Sequence, residues 1–142
     1  MLNLSLKMEV FKTIANLQNT ISFLKEEGKA IGFVPTMGAL HEGHLSLIEC
    51  CRKENNITVV SIFVNPTQFN QQQDYDNYPR DIEGDVDQLD DVGVDIVFTP
   101  SVQEMYPEPD NRTFDFGWLA KVMEGAYRPG HFNGVAQIVS KL

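Results

Sequence analysis

Apolar residues occur along this chain in short continuous runs that are typical of buried β-strands. Ala30–Val34, Ile57–Val64 and Val94–Phe98 are such runs, and Ile57–Val64 is especially rich in β-branched side chains. β-Branched residues favour extended backbone because their stiff side chains pack well on a pleated surface. The three runs therefore predict core strands, and residues 9–12 predict a shorter strand at the edge of the sheet.

Between these runs, apolar residues recur at the three- and four-residue spacing of a helix that packs one face on a core. The predicted helical faces are Ile14, Leu17, Ile21 and Leu24, then Leu45, Ile48 and Cys51, then Ile82, Val86, Leu89 and Val92. Thr13 and Asp81 are expected to cap helix starts, and Gly28 and Gly93 to end helices. Strand and helix alternate in units of about thirty residues, which predicts an α/β fold with a parallel sheet flanked by helices.

The end of the chain carries a further helical face, formed by Val135, Ile138, Val139 and Leu142. Such a face is normally covered by another element, so we expect these residues to be part of a longer protein. Helical core is the preferred interpretation of Val135 and Val139, and an apolar wall of a substrate pocket is the alternative. The polar run Gln71–Gln73 is expected to lie in a loop.

Charge narrows the choice of partner. The chain has 142 residues and a formal net charge of −9, which argues against nucleic acid because nucleic-acid sites are basic. Residues 74–115 hold thirteen acidic side chains against Arg80 and Arg112, and we expect this stretch to be a solvated face. The other residues carry seven acidic and nine basic side chains, so an anionic small substrate is compatible with them.

The sequence predicts a cytoplasmic protein that does not enter a membrane. Its longest apolar stretch, Val59–Val64, is far shorter than a membrane span. The N-terminal residues MLNLSLKMEVFK have neither a continuous apolar core nor a small-residue cleavage site, so we do not expect a signal peptide. Cys50 and Cys51 are adjacent and poorly placed to bridge each other, which indicates a reducing compartment.

Pro35–Ile48 is the first segment with candidate chemistry, because ligands of a parallel sheet bind beyond the carboxyl ends of the strands. Gly38 and Gly43 would allow close approach of the backbone to a ligand, while His41 and His44 fall at the start of a predicted helix. A helix N-terminus and imidazole donors together suit a phosphate group. The alternatives are histidines that are merely exposed or structurally bonded, or a metal pair that has no obvious third ligand.

Residues Asn65–Gln68 follow the strongest strand and are expected on the same edge of the sheet as the histidine pair. The Gln68 amide can donate to a carboxylate or accept from an amine, and bracing of its own loop is the alternative. Tyr78 is interpreted first as a packing residue. In the segment RPGHFNG, Arg128 either faces a carboxylate or phosphate or braces its loop, and His131 lies beside it.

The pattern His-x-Gly-His at residues 41–44 resembles the HIGH motif of the adenylyl-transferring superfamily. Four longer segments resemble the pantoate–β-alanine ligase (pantothenate synthetase) family more narrowly. They are VPTMGALHEGHLSLI from residue 34, SIFVNPTQF from residue 61, YPRD from residue 78 and EGAYRPGHFNGVAQIVSKL from residue 124. One such segment would be a weak signal, whereas these occur in order over essentially the whole chain.

The resemblance implies an ATP-dependent ligase that condenses (R)-pantoate with β-alanine through a pantoyl adenylate and releases AMP and diphosphate. It implies that His44 is the proton donor and that Gln68 binds both pantoate and β-alanine. It also implies that ATP contacts Met37, Gly38, Ala39, Leu40, His41, Glu42, Gly43 and His44. Magnesium is expected to accompany ATP, with no metal held by the protein alone, and a homodimer is expected. Tyr78, Arg128 and His131 are secondary candidates around the small-substrate pocket.

The resemblance also has gaps. A GEKD-type segment and a Ser-Ser-Arg-Asn-type loop, which contribute phosphate-binding groups in the family, do not occur in these residues. The resemblance therefore implies that residues 1–142 are an incomplete N-terminal domain with a Rossmann-like, nucleotide-binding parallel sheet flanked by helices, and that the smaller C-terminal domain is absent. This chain by itself is expected to be inactive. Two alternatives stay open, namely another HIGH-type adenylyltransferase and a catalytically incomplete nucleotide-binding fragment.

Overall fold

The strands form one parallel sheet in the computed structural model, which describes residues 7–114 and 131–142. The strands are β1 (Glu9–Phe11), β2 (Ile31–Thr36), β3 (Ile57–Ile62) and β4 (Ile96–Phe98), in the order β1-β4-β3-β2. All three pairings are parallel, and Val59 of β3 lies between Phe33 of β2 and Ile96 of β4. The predicted parallel α/β architecture and the edge position of β1 are confirmed.

Helices connect and follow these strands. They are α1 (Ile14–Glu26), α2 (Glu42–Glu54), α3 (Gln72–Asn77), α4 (Ile82–Asp91), α5 (Val102–Met105) and α6 (His131–Lys141), with a 3-10 turn at Pro66–Gln68. The predicted caps are confirmed, because Thr13 accepts from the Asn16 N–H and Asp81 from the Gly84 N–H. Gly28 and Gly93 have φ of +80° and +84°, the left-handed backbone that ends a helix and favours glycine.

The predicted loop at Gln71–Gln73 is wrong, because Gln72 and Gln73 begin α3. Glutamine is a good helix former, and the Gln72 Nε2 donates to Asp76 Oδ1 one turn later, at 2.9 Å. This short helix has no long apolar stripe, so periodicity gave no sign of it.

The chain divides into two compact units, and the sheet belongs to the first, Met1–Phe63 with Arg80–Pro100. Alternate residues of β3 pack on opposite faces, because successive side chains of a strand point in opposite directions. Val60 and Ile62 pack with Ile48 of α2 and Leu89 of α4. On the other face, Val59 and its neighbours pack against the predicted apolar face of α1, formed by Leu17, Ile21 and Leu24.

Strand β2 differs from the predicted buried strand. In the described part of the chain it pairs with β3 alone, and Phe33 at its middle is 40% exposed. Gly32 is buried, and a side chain there would collide with Cys51 of α2 and with Asn55, the C-cap of that helix. The difference arises from position in the sheet, since an apolar sequence at a sheet edge is covered only in part.

The second unit is Val64–Pro79 with Ser101–Leu142, and α6 is its longest described helix. The buried stripe of α6 is Gly134, Gln137 and Ile138, whereas Val139 is 59% exposed. The interpretation of Val139 as helical core is therefore wrong, and the expected uncovered apolar face is reduced to Val139 and Leu142. Gln137 explains which side of α6 is buried, because its Nε2 donates to the carbonyl oxygens of Asp110 and Arg112.

The acidic stretch at residues 74–115 is expected to be a solvated face, but some of its carboxylates have partners within the protein. Asp95 accepts from the Thr58 N–H at 2.8 Å and so joins β4 to β3. In the second unit the Asp110 carboxylate, 5% exposed, pairs with Arg112 at 2.6 Å and lies 3.7 Å from Lys141. The Arg112 guanidinium holds the pKa of Asp110 well below its usual range. A third acid, Asp85, is buried in the first unit and is described with the site.

Candidate active site

The turn between β2 and α2 has an uncommon backbone. Gly38 and Ala39 have φ of +80° and +51°, so two successive residues are left-handed. The Asp85 carboxylate binds this turn from α4, with Oδ2 accepting from the Ala39 N–H at 3.0 Å and Oδ1 from the Leu40 N–H at 3.1 Å. A side chain at Gly38 would place its Cβ 2.9 Å from Asp85 Oδ2. The sharp turn is therefore fixed by a glycine and one buried carboxylate.

Two histidines form a reciprocal cap at the start of α2. His41 is the N-cap, and its Nδ1 accepts from the Gly43 N–H at 3.0 Å. In return His44 Nδ1 accepts from the His41 N–H at 3.2 Å. The two ring centroids lie 4.0 Å apart. Imidazoles thus take the places that Ser or Thr and Glu occupy in the usual capping box.

This cap fixes the position of the ring protons. Because the Nδ1 atoms of His41 and His44 both accept from backbone N–H groups, a neutral ring carries its proton on Nε2. Burial lowers the pKa of the His44 imidazole, the nearby His41 lowers it further, and Asp85 acts in the opposite direction. His44 is therefore held as a neutral ring whose Nε2–H is a hydrogen-bond donor of fixed direction.

Several backbone donors expected to receive a phosphate are used within the protein. Asp85 takes the N–H groups of Ala39 and Leu40, and the His41 ring takes that of Gly43. A Cβ at Gly43 would lie 2.8 Å from the His41 ring, so this glycine makes room for the cap. The role of these residues toward ATP stays a prediction, and the imidazole Nε2–H groups become the leading donors.

Asp85 is a residue of this site whose role the sequence does not predict. As a member of the acidic stretch it is expected to be solvated, yet it is 4% exposed. A signal was present, because Asp85 lies four residues before Leu89 and three after Ile82, on the predicted apolar face of α4. A carboxylate at such a position indicates a buried partner. The partner could not be read from the sequence, since Ala39 is 46 residues away.

The second unit contains a separate polar network around Asn65, which is 1% exposed. The Asn65 Nδ2 donates to Gln68 Oε1 at 3.1 Å and to the Gly134 carbonyl at 2.9 Å. Its Oδ1 accepts from the Tyr106 hydroxyl at 2.8 Å and from Thr67 Oγ1 at 3.1 Å. A buried amide with partners at both ends is a rigid brace.

This network sets the orientation of Gln68. Since Asn65 donates to Oε1, the donor end of the Gln68 amide is Nε2. The Gln68 carbonyl oxygen lies 3.0 Å from His131 Nδ1, which donates to it. A Cβ at Gly134 would collide with the backbone of Thr67 and Gln68, so α6 approaches the 3-10 turn at a glycine. Both the binding role and the loop-bracing role of Gln68 are compatible with these contacts.

The secondary candidates have different outcomes. Tyr78 packs edge-on against Phe69, with ring centroids 5.6 Å apart, in agreement with its interpretation as a packing residue. Arg128 lies outside the described residues. His44 and Gln68 follow β2 and β3 along the chain but belong to different units, so their expected meeting at one edge of the sheet stays a prediction.

Tyr106 also was not found from the sequence, because nothing in its neighbourhood marks a partner 41 residues away. Tyr106→Phe is expected to lower the free energy of unfolding by about 0.5–1.5 kcal/mol, the usual net value of one hydrogen bond. Urea unfolding followed by circular dichroism would measure it. In an Asn65→Ala background the same change should cost less, because the bond to Asn65 is gone and only the contact with Thr67 Oγ1, at 3.2 Å, is left. An equal loss of unfolding free energy in the two backgrounds would contradict the hydrogen bond between Tyr106 and Asn65.

Across residues 7–114 and 131–142, no helix is long and apolar enough to cross a membrane. The same residues contain no group of three or more His, Cys, Asp or Glu side chains that could hold a metal ion.

Fold and site together define an α/β protein whose parallel strands lead into a capped histidine pair and an amide network. Its family can be stated more narrowly. The family model described as pantoate-beta-alanine ligase matches residues 9–142, and the chain belongs to that family. The family predicted from four sequence segments is thereby confirmed.

Curated relatives agree with this assignment. A pantothenate synthetase of Porphyromonas gingivalis W83 is 58% identical over 135 residues, which are 95% of this chain and 48% of the relative. A pantothenate synthetase of Aquifex aeolicus is 56% identical, over 94% of this chain and 47% of the relative. The chain spans about half the length of the curated relatives it matches.

Solved structures show the same fold. Pantothenate synthetase from Thermus thermophilus superposes with a TM-score of 0.84 at 46% identity, over 94% of this chain and 47% of that one. Pantoate-beta-alanine ligase from Francisella tularensis, complexed with beta-gamma ATP and beta-alanine, gives 0.88 at 41% identity, over 94% and 51%. The α/β fold is therefore that of the family.

Proposed function

We propose that residues 1–142 are the N-terminal nucleotide-binding part of an enzyme that joins pantoate to β-alanine at the expense of ATP. The observation that carries the proposal is the reciprocal cap of His41 and His44 in a chain of this family, because it presents two imidazole donors of fixed direction after β2. The complex of the Francisella tularensis relative with beta-gamma ATP and beta-alanine supports the choice of substrates.

The reaction has two steps in this proposal. A carboxylate oxygen of pantoate attacks the α-phosphorus of ATP, and the bond to diphosphate breaks. The amine of β-alanine then attacks the acyl carbon of the adenylate, the bond to AMP breaks, and the amine nitrogen loses a proton. Charge on the phosphoryl oxygens must be stabilised in the first step, which fixed donors do well because they need no reorganisation.

Each predicted site residue has a role in this scheme. Residues Met37 to His44 contact ATP, and the Nε2–H of His44 donates to the α-phosphoryl oxygens. His41 holds the same helix start and donates to ATP from its own Nε2. Gln68, held by Asn65, donates to the pantoate carboxylate and lies near β-alanine. His131, by holding the Gln68 carbonyl, supports that position from α6.

Magnesium is proposed only as the ion that enters with ATP, since Mg²⁺ is commonly bound through substrate phosphates and few protein groups. The described residues do not fit a protein-held metal. Both carboxylate oxygens of Asp85, the acid beside the histidine turn, already accept backbone N–H groups. A cytoplasmic homodimer that binds neither nucleic acid nor membrane completes the proposal.

The test is a steady-state assay of the full-length protein that includes this chain. AMP is expected to form continuously only when pantoate, ATP and β-alanine are all present, and diphosphate release should depend on pantoate. If the protein is instead another HIGH-type adenylyltransferase, it should transfer an adenylyl group to a phosphorylated acceptor. Diphosphate exchange that depends on another acid, with none on pantoate, would refute the assignment.

The 142-residue chain alone is expected to form no pantothenate, although its sheet and helices favour folding at least in part. The charge of a helix N-terminus contributes only about 0.3–1 kcal/mol where it is exposed. The His41–His44 pair is the main further contribution to ATP binding in this chain, so we expect ATP to bind weakly. Calorimetric titration with ATP and a pantothenate assay on this chain check the expectation, and a rate similar to that of the full-length sample would contradict it.

A further inference from the structure

We propose that Asp85 is a positioning residue of the nucleotide site, which holds the turn at residues 38–40 and through it directs the His41–His44 pair toward ATP. The inference deepens the proposed function and rests on it for the identity of the nucleotide. Asp85 is assigned no contact with substrate. It acts through the backbone that leads into α2.

The contact is unusually specific for a carboxylate of an acidic stretch. Both oxygens are used, one on the Ala39 N–H and one on the Leu40 N–H, from a side chain that is 4% exposed. Ala39 is left-handed although it is not a glycine, and that backbone is unfavourable for an L-residue without an external partner. Asp85 is the partner that the described structure provides.

The turn is continuous with the histidine cap. Leu40, which donates to Asp85, is followed directly by His41, the N-cap of α2. A change of the Ala39 and Leu40 backbone would therefore rotate the residue on which both imidazole orientations depend. On the other side, the Gly38 N–H donates to Thr36 Oγ1, which anchors the turn to the end of β2. The turn is thus held at both ends.

The charge of Asp85 has an effect of its own. It raises the pKa of His44, against the lowering caused by burial and by His41. Asp85→Asn removes the charge and also turns an NH₂ group toward one of the two backbone donors, so it disturbs both functions. Asp85→Glu keeps the charge with a side chain one methylene longer, so it separates charge from geometry. Asp87→Asn is the matched control, because Asp87 is an exposed acid of the same helix.

The experiment compares these variants in the full-length protein. Hydrogen exchange of the peptide that covers residues 37–41 reports the turn, and NMR titration of labelled histidines reports His44. Pantoate-dependent diphosphate exchange gives kcat and the KM values for ATP and pantoate. Circular dichroism and the thermal midpoint identify any variant that does not fold.

Asp85→Asn is expected to speed exchange at residues 37–41 at least tenfold and to lower the pKa of His44. It should reduce kcat/KM for ATP about ten- to a hundredfold, since misplacement of a catalytic group by about 1 Å can cost a hundredfold, with the KM for pantoate nearly unchanged. Asp85→Glu should restore the pKa of His44 but not the rate. Asp87→Asn should resemble the wild type in every measurement.

Different failures have different meanings. Unchanged exchange at residues 37–41 in a folded Asp85→Asn protein would overturn the positioning role, whatever the activity. Equal losses toward ATP and pantoate, with a lowered thermal midpoint, would reduce Asp85 to a residue of general stability and also overturn it. Binding of Mg²⁺ alone to the wild type, abolished in Asp85→Asn, would make Asp85 a metal ligand instead. A wild type without pantoate-dependent activity would refute the proposed function and leave the exchange test intact.

Discussion

His44→Ala is expected to slow adenylate formation by about a hundred- to a thousandfold in the full-length protein, while pantoate affinity changes little. Loss of one preorganised donor at a charged transition state has an effect of this size. His44 is prepared for such a role, because the His41 N–H occupies its Nδ1 and directs its proton to Nε2. Single-turnover formation of the adenylate, measured with saturating pantoate, isolates the step.

The alanine variant also removes half of the helix cap, so a second substitution is needed. His44→Gln retains a side-chain acceptor at the third helical position, where glutamine commonly completes a capping box. It should restore the stability of α2 but not the rate. Leu47→Ala, at an exposed position of α2, controls for mutation of the helix itself. His41→Ala should act mainly on ATP binding, and less severely. Wild-type single-turnover rates in His44→Ala would show that His44 is a capping residue only.

The elements of the fold were accessible from the sequence because each has a local signal. Strand β3 is predicted by a run of β-branched residues, and all of it is buried. Helices α1 and α4 are predicted by spacing together with Thr13 and Asp81, whose caps are local contacts three residues long. Local rules therefore sufficed for the parallel sheet and its flanking helices, and boundaries moved by no more than about two residues.

The misses share a different cause, which is dependence on residues that are distant in the chain. The exposure of β2 depends on its place in the sheet order, and the buried phase of α6 depends on carbonyl groups of Asp110 and Arg112. Asp85 and Tyr106 have partners 46 and 41 residues away. Periodicity describes which face of an element is apolar. It does not describe which polar group that face meets.

The structure changes the interpretation of the backbone groups in the candidate site, while the roles of its residues toward substrates stay predictions. Gly43 was expected to let a ligand approach, yet the space beside it is taken by the His41 ring. The N–H groups near the helix start were expected to meet phosphate, yet Asp85 and His41 accept several of them. These internal bonds leave the imidazole Nε2–H groups as the donors that we propose for ATP. The same contacts thus stabilise the start of α2 and orient the groups proposed to act on ATP.

Gln68→Ala is expected to weaken pantoate binding by about ten- to a hundred-and-fiftyfold in the full-length protein, with ATP binding in the absence of pantoate nearly unchanged. A hydrogen bond to a charged group is worth roughly 1.5–3 kcal/mol, which corresponds to that range. The KM for β-alanine should rise as well, since the same amide is proposed to lie near both acids. Calorimetric titration with each ligand measures the separate affinities.

The alternative, in which Gln68 only braces its loop, is separated by Gln68→Glu. Glutamate keeps an oxygen that can accept from Asn65 Nδ2, so the brace survives, but it replaces the Nε2 donor with a negative oxygen. If Gln68 donates to the pantoate carboxylate, this variant should bind pantoate at least as weakly as Gln68→Ala, because like charges then meet. Gln72→Ala, an exposed glutamine of α3, should have no effect. Two outcomes would assign Gln68 to the brace alone. One is an unchanged pantoate affinity in Gln68→Glu. The other is a loss of pantoate affinity in Gln68→Ala that is accompanied by a loss of stability of the network around Asn65.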